Sequence, residues 1–155
     1  MAQTRVLLAM RLLLAVFYLF AGILHLVAPA GFVRIIPIFF RWPEFIVLIT
    51  GLCEIAGAVG LMVPALRRAA GIGLAAYAIF VYPANINHAV NMISVGGVPD
   101  TWWYHAPRLA FQPVLVWWAL YCSGVTTWPF SRETRRKKLA TRGCQNENLP
   151  SHSLE

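Results

Sequence analysis

The chain has 155 residues, of which 59% are hydrophobic and only 12% charged, with a formal net charge of +7. A composition this apolar excludes an ordinary soluble globule and points to a single membrane-embedded domain. The positive balance does not indicate nucleic acid, because most of it falls in a short C-terminal run with no interleaved base-stacking aromatics.

In chain order, residues 6–27 are apolar apart from Arg11 and His25. At ~1.5 Å per residue this first helix crosses the ~30 Å hydrocarbon layer. Ala28-Pro29-Ala30 also fits a leader cleavage site, but the apolar run exceeds the ~7–15 residues of such a leader, so the segment is read as a span. The stretch from Gly31 to Pro43 mixes aromatics with Arg34, Arg41 and Pro37 and is expected as a loop lying on the membrane surface. Residues 44–63 form the second helix, opened by Pro43 and closed by Pro64, with Glu54 at its middle. Its Gly51, Ala56, Gly57 and Gly60 allow close helix approach. The tight connection through Arg67 and Arg68 makes the third helix, 69–92, its antiparallel neighbour. That helix turns polar in its last third, at Pro83, Asn85, Asn87 and His88.

Gly96 to His105 combines turn formers with Trp102, Trp103 and Tyr104, the makeup of an interfacial belt. The fourth helix is expected over 106–125, with Pro107 in its first turn and Pro113 kinking the axis. From residue 129 the composition turns basic and polar. That tail is expected to be disordered, fixing topology or binding anionic headgroups. The fold class is therefore all-α, an integral membrane four-helix bundle over 1–128 with a tail over 129–155.

Orientation follows from counting cations. Nine of the thirteen Lys and Arg lie at the start (Arg5), in the Arg67-Arg68 turn and in the tail. The positive-inside rule then makes both termini cytoplasmic. The expected location is multi-pass in a bacterial inner membrane.

With that orientation, His25, Asn85, His88, Arg108 and Gln112 fall in the outer half of the bilayer, with Glu54 near the midplane beneath them. Asn85 and His88 share a helix face by their spacing of three, and Arg108 and Gln112 by theirs of four. Polar groups at such depth normally face a bundle interior, so a shared site is expected. Glu54 and His25 are the candidate proton-handling residues. Asn85, His88, Arg108 and Gln112 are the candidates for substrate binding. The bland alternatives are a structural His25, an Arg108 that snorkels to headgroups, and a Pro83/Asn85 pair that serves only the helix backbone.

Cys53, Cys122 and Cys144 are far apart and form no metal or redox spacing. His25, Glu54 and His88 match a two-histidine, one-carboxylate ligand set in type but lack local spacing, so no metal is assigned. No phosphate loop or nucleophile elbow is present.

The order of these features resembles the DoxX-like family of small four-helix membrane proteins. The resemblance is carried by Phe20-Ala21-Gly22-Ile23-Leu24-His25 followed by Pro29, by Gly51-Leu52-Cys53-Glu54-Ile55 with Gly57 and Gly60, by Pro83-Ala84-Asn85-Ile86, and by Pro107-Arg108 followed by Gln112. It covers about residues 6–125. It implies a four-helix bundle and, from members associated with quinone-coupled or thiol-related oxidoreduction, a membrane oxidoreductase role with a quinone-like or other lipophilic small molecule as ligand. Two other functions use the same residues differently: a membrane acid/base enzyme (isomerase or cyclase) on a lipophilic substrate, and a non-enzymatic subunit whose small-residue helix faces pack against a membrane-protein partner.

Overall fold

The computed structural model describes residues 2–95, 97 and 99–128, and every secondary-structure element among them is helical. The basic tail expected from residue 129 lies outside the described residues. Four long helices, α1 (Ala2–Val27), α3 (Pro43–Met62), α4 (Arg67–Val90) and α5 (Trp102–Cys122), are joined by a short α2 (Pro29–Ile35). α1 packs on α3, α3 on α4, α4 on α5 and α5 back on α1, which closes a ring, and α2 rests against α1, α3 and α4 at one end.

Prolines set the element boundaries. Pro29 and Pro43 open α2 and α3, where a missing N–H costs nothing because first-turn donors are unpaired anyway. Trp42, just ahead of Pro43, is left-handed with φ 56°, in keeping with the bar on helical geometry before proline.

Two expectations need correction. Part of the stretch expected as a surface loop is helical, Pro29–Ile35, because Pro29 starts a new helix as well as ending the previous one. Trp102 to His105, expected in an interfacial loop, form the first turn of α5, which puts Pro107 in its second turn and ends the helix at Cys122 rather than 125. The reason is packing: His105 is buried against α4.

The core is narrow and built from small residues around a few large ones. Leu14, Tyr18, Leu61 and Leu74 are buried among Ala58, Ala75 and Ala119. The outer surface is the more apolar one: Leu13, Val16, Phe20, Val59 and Ile79 are each more than half exposed. So large a contiguous apolar exterior needs a nonaqueous solvent. Among the described residues three helices, α1 from Arg5, α3 and α4, are long and apolar enough to cross a membrane.

Glycines bring the backbones of α1 and α3 close together. A Cβ placed on Gly22 would sit 2.8 Å from the Gly51 carbonyl oxygen, and one on Gly51 only 2.8 Å from His25 Cβ. The glycines expected to offer faces to an external partner are thus used inside the bundle: Gly57 meets Leu74 and Gly60 meets Ala70.

Candidate functional site

The Gly22–Gly51 crossing places His25 beside Glu54. His25 Nδ1 lies 2.9 Å from the Ala21 carbonyl oxygen and 3.0 Å from Glu54 Oε2. One N–H cannot serve both well. It donates to the carbonyl, and the carboxylate contact is a charge contact that leaves Oε2 without a hydrogen bond. The ring stacks on Phe32 of α2 at 3.8 Å between centroids, which fixes its plane. With Nδ1 committed, Nε2 is the nitrogen left to meet a ligand. Glu54 is 4% exposed, and the phenols of Tyr18 and Tyr77 sit within electrostatic reach of it.

A second polar group spans α4 and α5. Arg108 donates from Nη2 to Asn85 Oδ1 at 2.5 Å and from Nη1 to His88 Nδ1 at 2.6 Å. Asn85 Nδ2 donates to Gln112 Oε1 at 3.2 Å, and Gln112 Nε2 donates to the Ala78 carbonyl at 2.7 Å. That carbonyl is one residue before the one that Pro83, inside α4, leaves without its usual donor. The chain of bonds is continuous, and each amide is used at both ends, so the network holds Arg108 in one orientation.

The two groups face each other across a cleft of about 110 Å³. Phe32, Ile35, Phe40, Val47, Phe80 and Val81 supply apolar walls, and His25, Thr50, Tyr77, Asn85 and Arg108 supply the polar points. Of the six residues expected at a site, His25, Asn85 and Arg108 therefore line the cleft. Glu54, His88 and Gln112 do not; they stand behind, holding the imidazole and the guanidinium in place. Among the described residues no group of three metal-ligating side chains converges.

The charge balance of the cleft is uneven. His25–Glu54 is the one acid–base contact among the described residues. Among the described residues Arg108 forms no ion pair with a carboxylate, and the Tyr104 ring lies 5.9 Å from it. A cation that bonds to neutral acceptors alone in a low-dielectric interior leaves a site for a negative or strongly accepting oxygen.

Sequence reasoning missed His105 and Thr50. His105 is 1% exposed and packs edge-on to His88 at 4.7 Å between centroids, with both ring nitrogens unpartnered among the described residues. The available signal was spacing: His105, Arg108, Gln112, Leu115, Ala119 and Cys122 recur at intervals of three and four, one helical stripe. A buried group with unmet hydrogen bonds costs on the order of 1–3 kcal/mol. His105→Phe is therefore expected to raise the thermal unfolding midpoint in detergent, and a fall would show that the imidazole has a partner.

No curated protein and no solved structure matches the chain. A family model described as a domain of unknown function, DUF8561, matches residues 14–123, a span that contains both halves of the cleft, and the chain belongs to that family.

Proposed function

We propose that this protein binds a small lipophilic molecule carrying a carbonyl or ionised oxygen, with the head of a quinone or quinol as the best-fitting class, and exchanges a proton with it. The observation that carries this reading is Arg108: a guanidinium held rigidly at the wall of an apolar cleft, without a carboxylate partner among the described residues. The ligand oxygen docks on its remaining N–H groups. His25 lines the same space and, through Nε2, takes up or returns a proton, while Glu54 stabilises the imidazolium. A prenyl or alkyl tail then runs out between helices into lipid.

The reading extends to the membrane. α5 measures roughly 31 Å at ~1.5 Å per residue and packs along α4, which supports it as the fourth span beside α1, α3 and α4. Both termini then lie on the cytoplasmic side of a bacterial inner membrane, and the cleft lies in the outer half. Likeness to the DoxX-like family agrees with this assignment and favours an oxidoreductase role. The acid/base enzyme reading uses the same His25–Glu54 pair. The partner-subunit reading is weaker, because Gly51, Gly57 and Gly60 of α3 are occupied within the bundle, which leaves Gly73 of α4 as the open glycine.

The test is a titration of the detergent-solubilised chain with decyl-benzoquinone, followed by tryptophan fluorescence. Saturable binding that weakens in Glu54→Gln, at unchanged fold, is the expected result. Absence of saturable binding, or binding indifferent to both Glu54→Gln and His25→Asn, overturns the proposal.

A further inference from the structure

At the opposite end of the bundle, the first turns of α1, the α3–α4 turn and the end of α5 enclose an open cavity of about 320 Å³. Arg11, Arg67 and Arg68 line it together with Ser123, and no Asp or Glu among the described residues does. Two of these arginines are tied to the fold. Arg11 donates from Nε and Nη2 to the Cys122 carbonyl, at 3.1 and 3.0 Å, and Arg67 donates from Nε to the Leu61 carbonyl at 3.3 Å. Neither is therefore a loose surface chain reaching into solvent. Both keep terminal N–H groups without an acceptor among the described residues, and Arg68 donates to none of them. Arg11 and Arg67 are close enough for their charges to repel.

Pinning like charges together with no carboxylate costs free energy that an anion offsets. The backbone adds to the field, because α4 begins at Arg67 and its first-turn N–H groups are unpaired at the positive end of the helix. Forked guanidinium donors match a tetrahedral oxyanion with several acceptors better than they match a single carboxylate. Among the remaining walls Leu7, Pro64 and Ala65 are apolar, with Tyr121, Cys122 and Gly124 completing the lining, and the neighbouring Val6 and Leu66 are more than half exposed. The cavity thus borders the lipid-facing surface on one side and the aqueous phase on the other.

We infer that this cavity is a phosphate-binding site, filled either by the headgroup of an anionic phospholipid or by a phosphate free in solution. It is separate from the cleft at the other end of the bundle and does not depend on the function proposed for it.

The full chain in neutral detergent is followed by its thermal midpoint in two arms. One adds inorganic phosphate against sodium chloride at equal ionic strength. The other adds phosphatidylglycerol against phosphatidylcholine in mixed micelles. The midpoint is expected to rise in at least one arm, and in Arg68→Gln the half-saturating concentration should increase about tenfold. A rise with phosphatidylglycerol alone assigns the site to a lipid headgroup; a rise with inorganic phosphate as well assigns it to soluble phosphate. Arg68 is exposed and makes no bond within the described fold, so its variant keeps the structure, and Arg34→Gln at the other end serves as the unchanged control. No rise in either arm, or an equal rise in Arg67→Gln, Arg68→Gln and the parent, overturns the inference.

Discussion

Arg108→Gln is expected to abolish ligand binding in the cleft, raising the dissociation constant at least about a hundredfold, while the helices remain assembled. Two charge-assisted hydrogen bonds to a ligand oxygen, each worth on the order of 1.5–3 kcal/mol, would be lost together. The variant also leaves Asn85 Oδ1 and His88 Nδ1 without their donor, so a lower thermal midpoint is expected alongside the lost affinity. Arg108→Lys separates the two effects. It keeps the charge but cannot reach both acceptors with one ammonium, so it should recover part of the stability and little of the affinity. The measurement is a decyl-benzoquinone titration paired with a melting curve for each variant. If Arg108→Gln binds as tightly as the parent, the unpaired guanidinium has nothing to do with a ligand, and the proposed function goes with it.

Much of this arrangement was legible in the sequence, for an identifiable reason. A polar residue inside an apolar span must turn inward, so the positions of His25, Glu54, Asn85, Arg108 and Gln112 in the sequence already imply a shared interior. Spacing within each helix then placed Asn85 with His88 and Arg108 with Gln112. What spacing alone could not supply was the register between helices. That register depends on Gly22 meeting Gly51, a contact between residues 29 positions apart, and it decides that Glu54 stands behind His25 rather than in the cleft. The division of labour between residues at the wall and residues behind it was equally hidden. An amide such as Gln112 can meet a ligand or a backbone carbonyl, and only the proximity of Ala78 settles the choice.

The start of α5 was misplaced because its first turn is rich in aromatics. Trp102, Trp103 and Tyr104 read as a headgroup belt, and they are compatible with one, since Trp103 is 91% exposed. The stripe running from His105 to Cys122 carried the stronger message. The same three-and-four spacing runs through Arg11, Leu14, Tyr18, Gly22 and His25 on α1, and through Val47, Thr50, Glu54, Ala58 and Leu61 on α3. These are seams of the kind seen in left-handed bundles. Their polar members are unevenly placed: the α1 seam has Arg11 toward one end and His25 at the other, the α3 seam carries Glu54 at its middle, and the α5 seam begins with His105, Arg108 and Gln112. That distribution gives one bundle two chemically different ends, a cleft with a cation and a proton-bearing pair at one and a cluster of arginines at the other.

The register makes a sharp mechanical prediction at Gly51. A Cβ there would meet His25 Cβ at 2.8 Å and the Gly22 carbonyl oxygen at 3.1 Å. One of these neighbours is backbone and the other is the first side-chain atom of a residue held by two contacts, so neither has freedom to swing away. Gly51→Val must therefore push α1 off α3, and overpacking of this kind typically costs about 1–3 kcal/mol. Because the same crossing sets His25 against Glu54, the cost should appear twice: as a lower unfolding midpoint in detergent and as weaker ligand binding, even though residue 51 does not line the cleft. Gly73 provides the contrast. A Cβ there meets nothing within 4 Å, so Gly73→Ala should be neutral or stabilising, by up to about 1 kcal/mol from helix propensity. The pair is read by comparing the two melting curves with the two binding isotherms. A Gly51→Val protein with parental stability and affinity would mean that α1 and α3 do not cross at Gly22 and Gly51, and the His25–Glu54 contact built on that crossing would have to be abandoned.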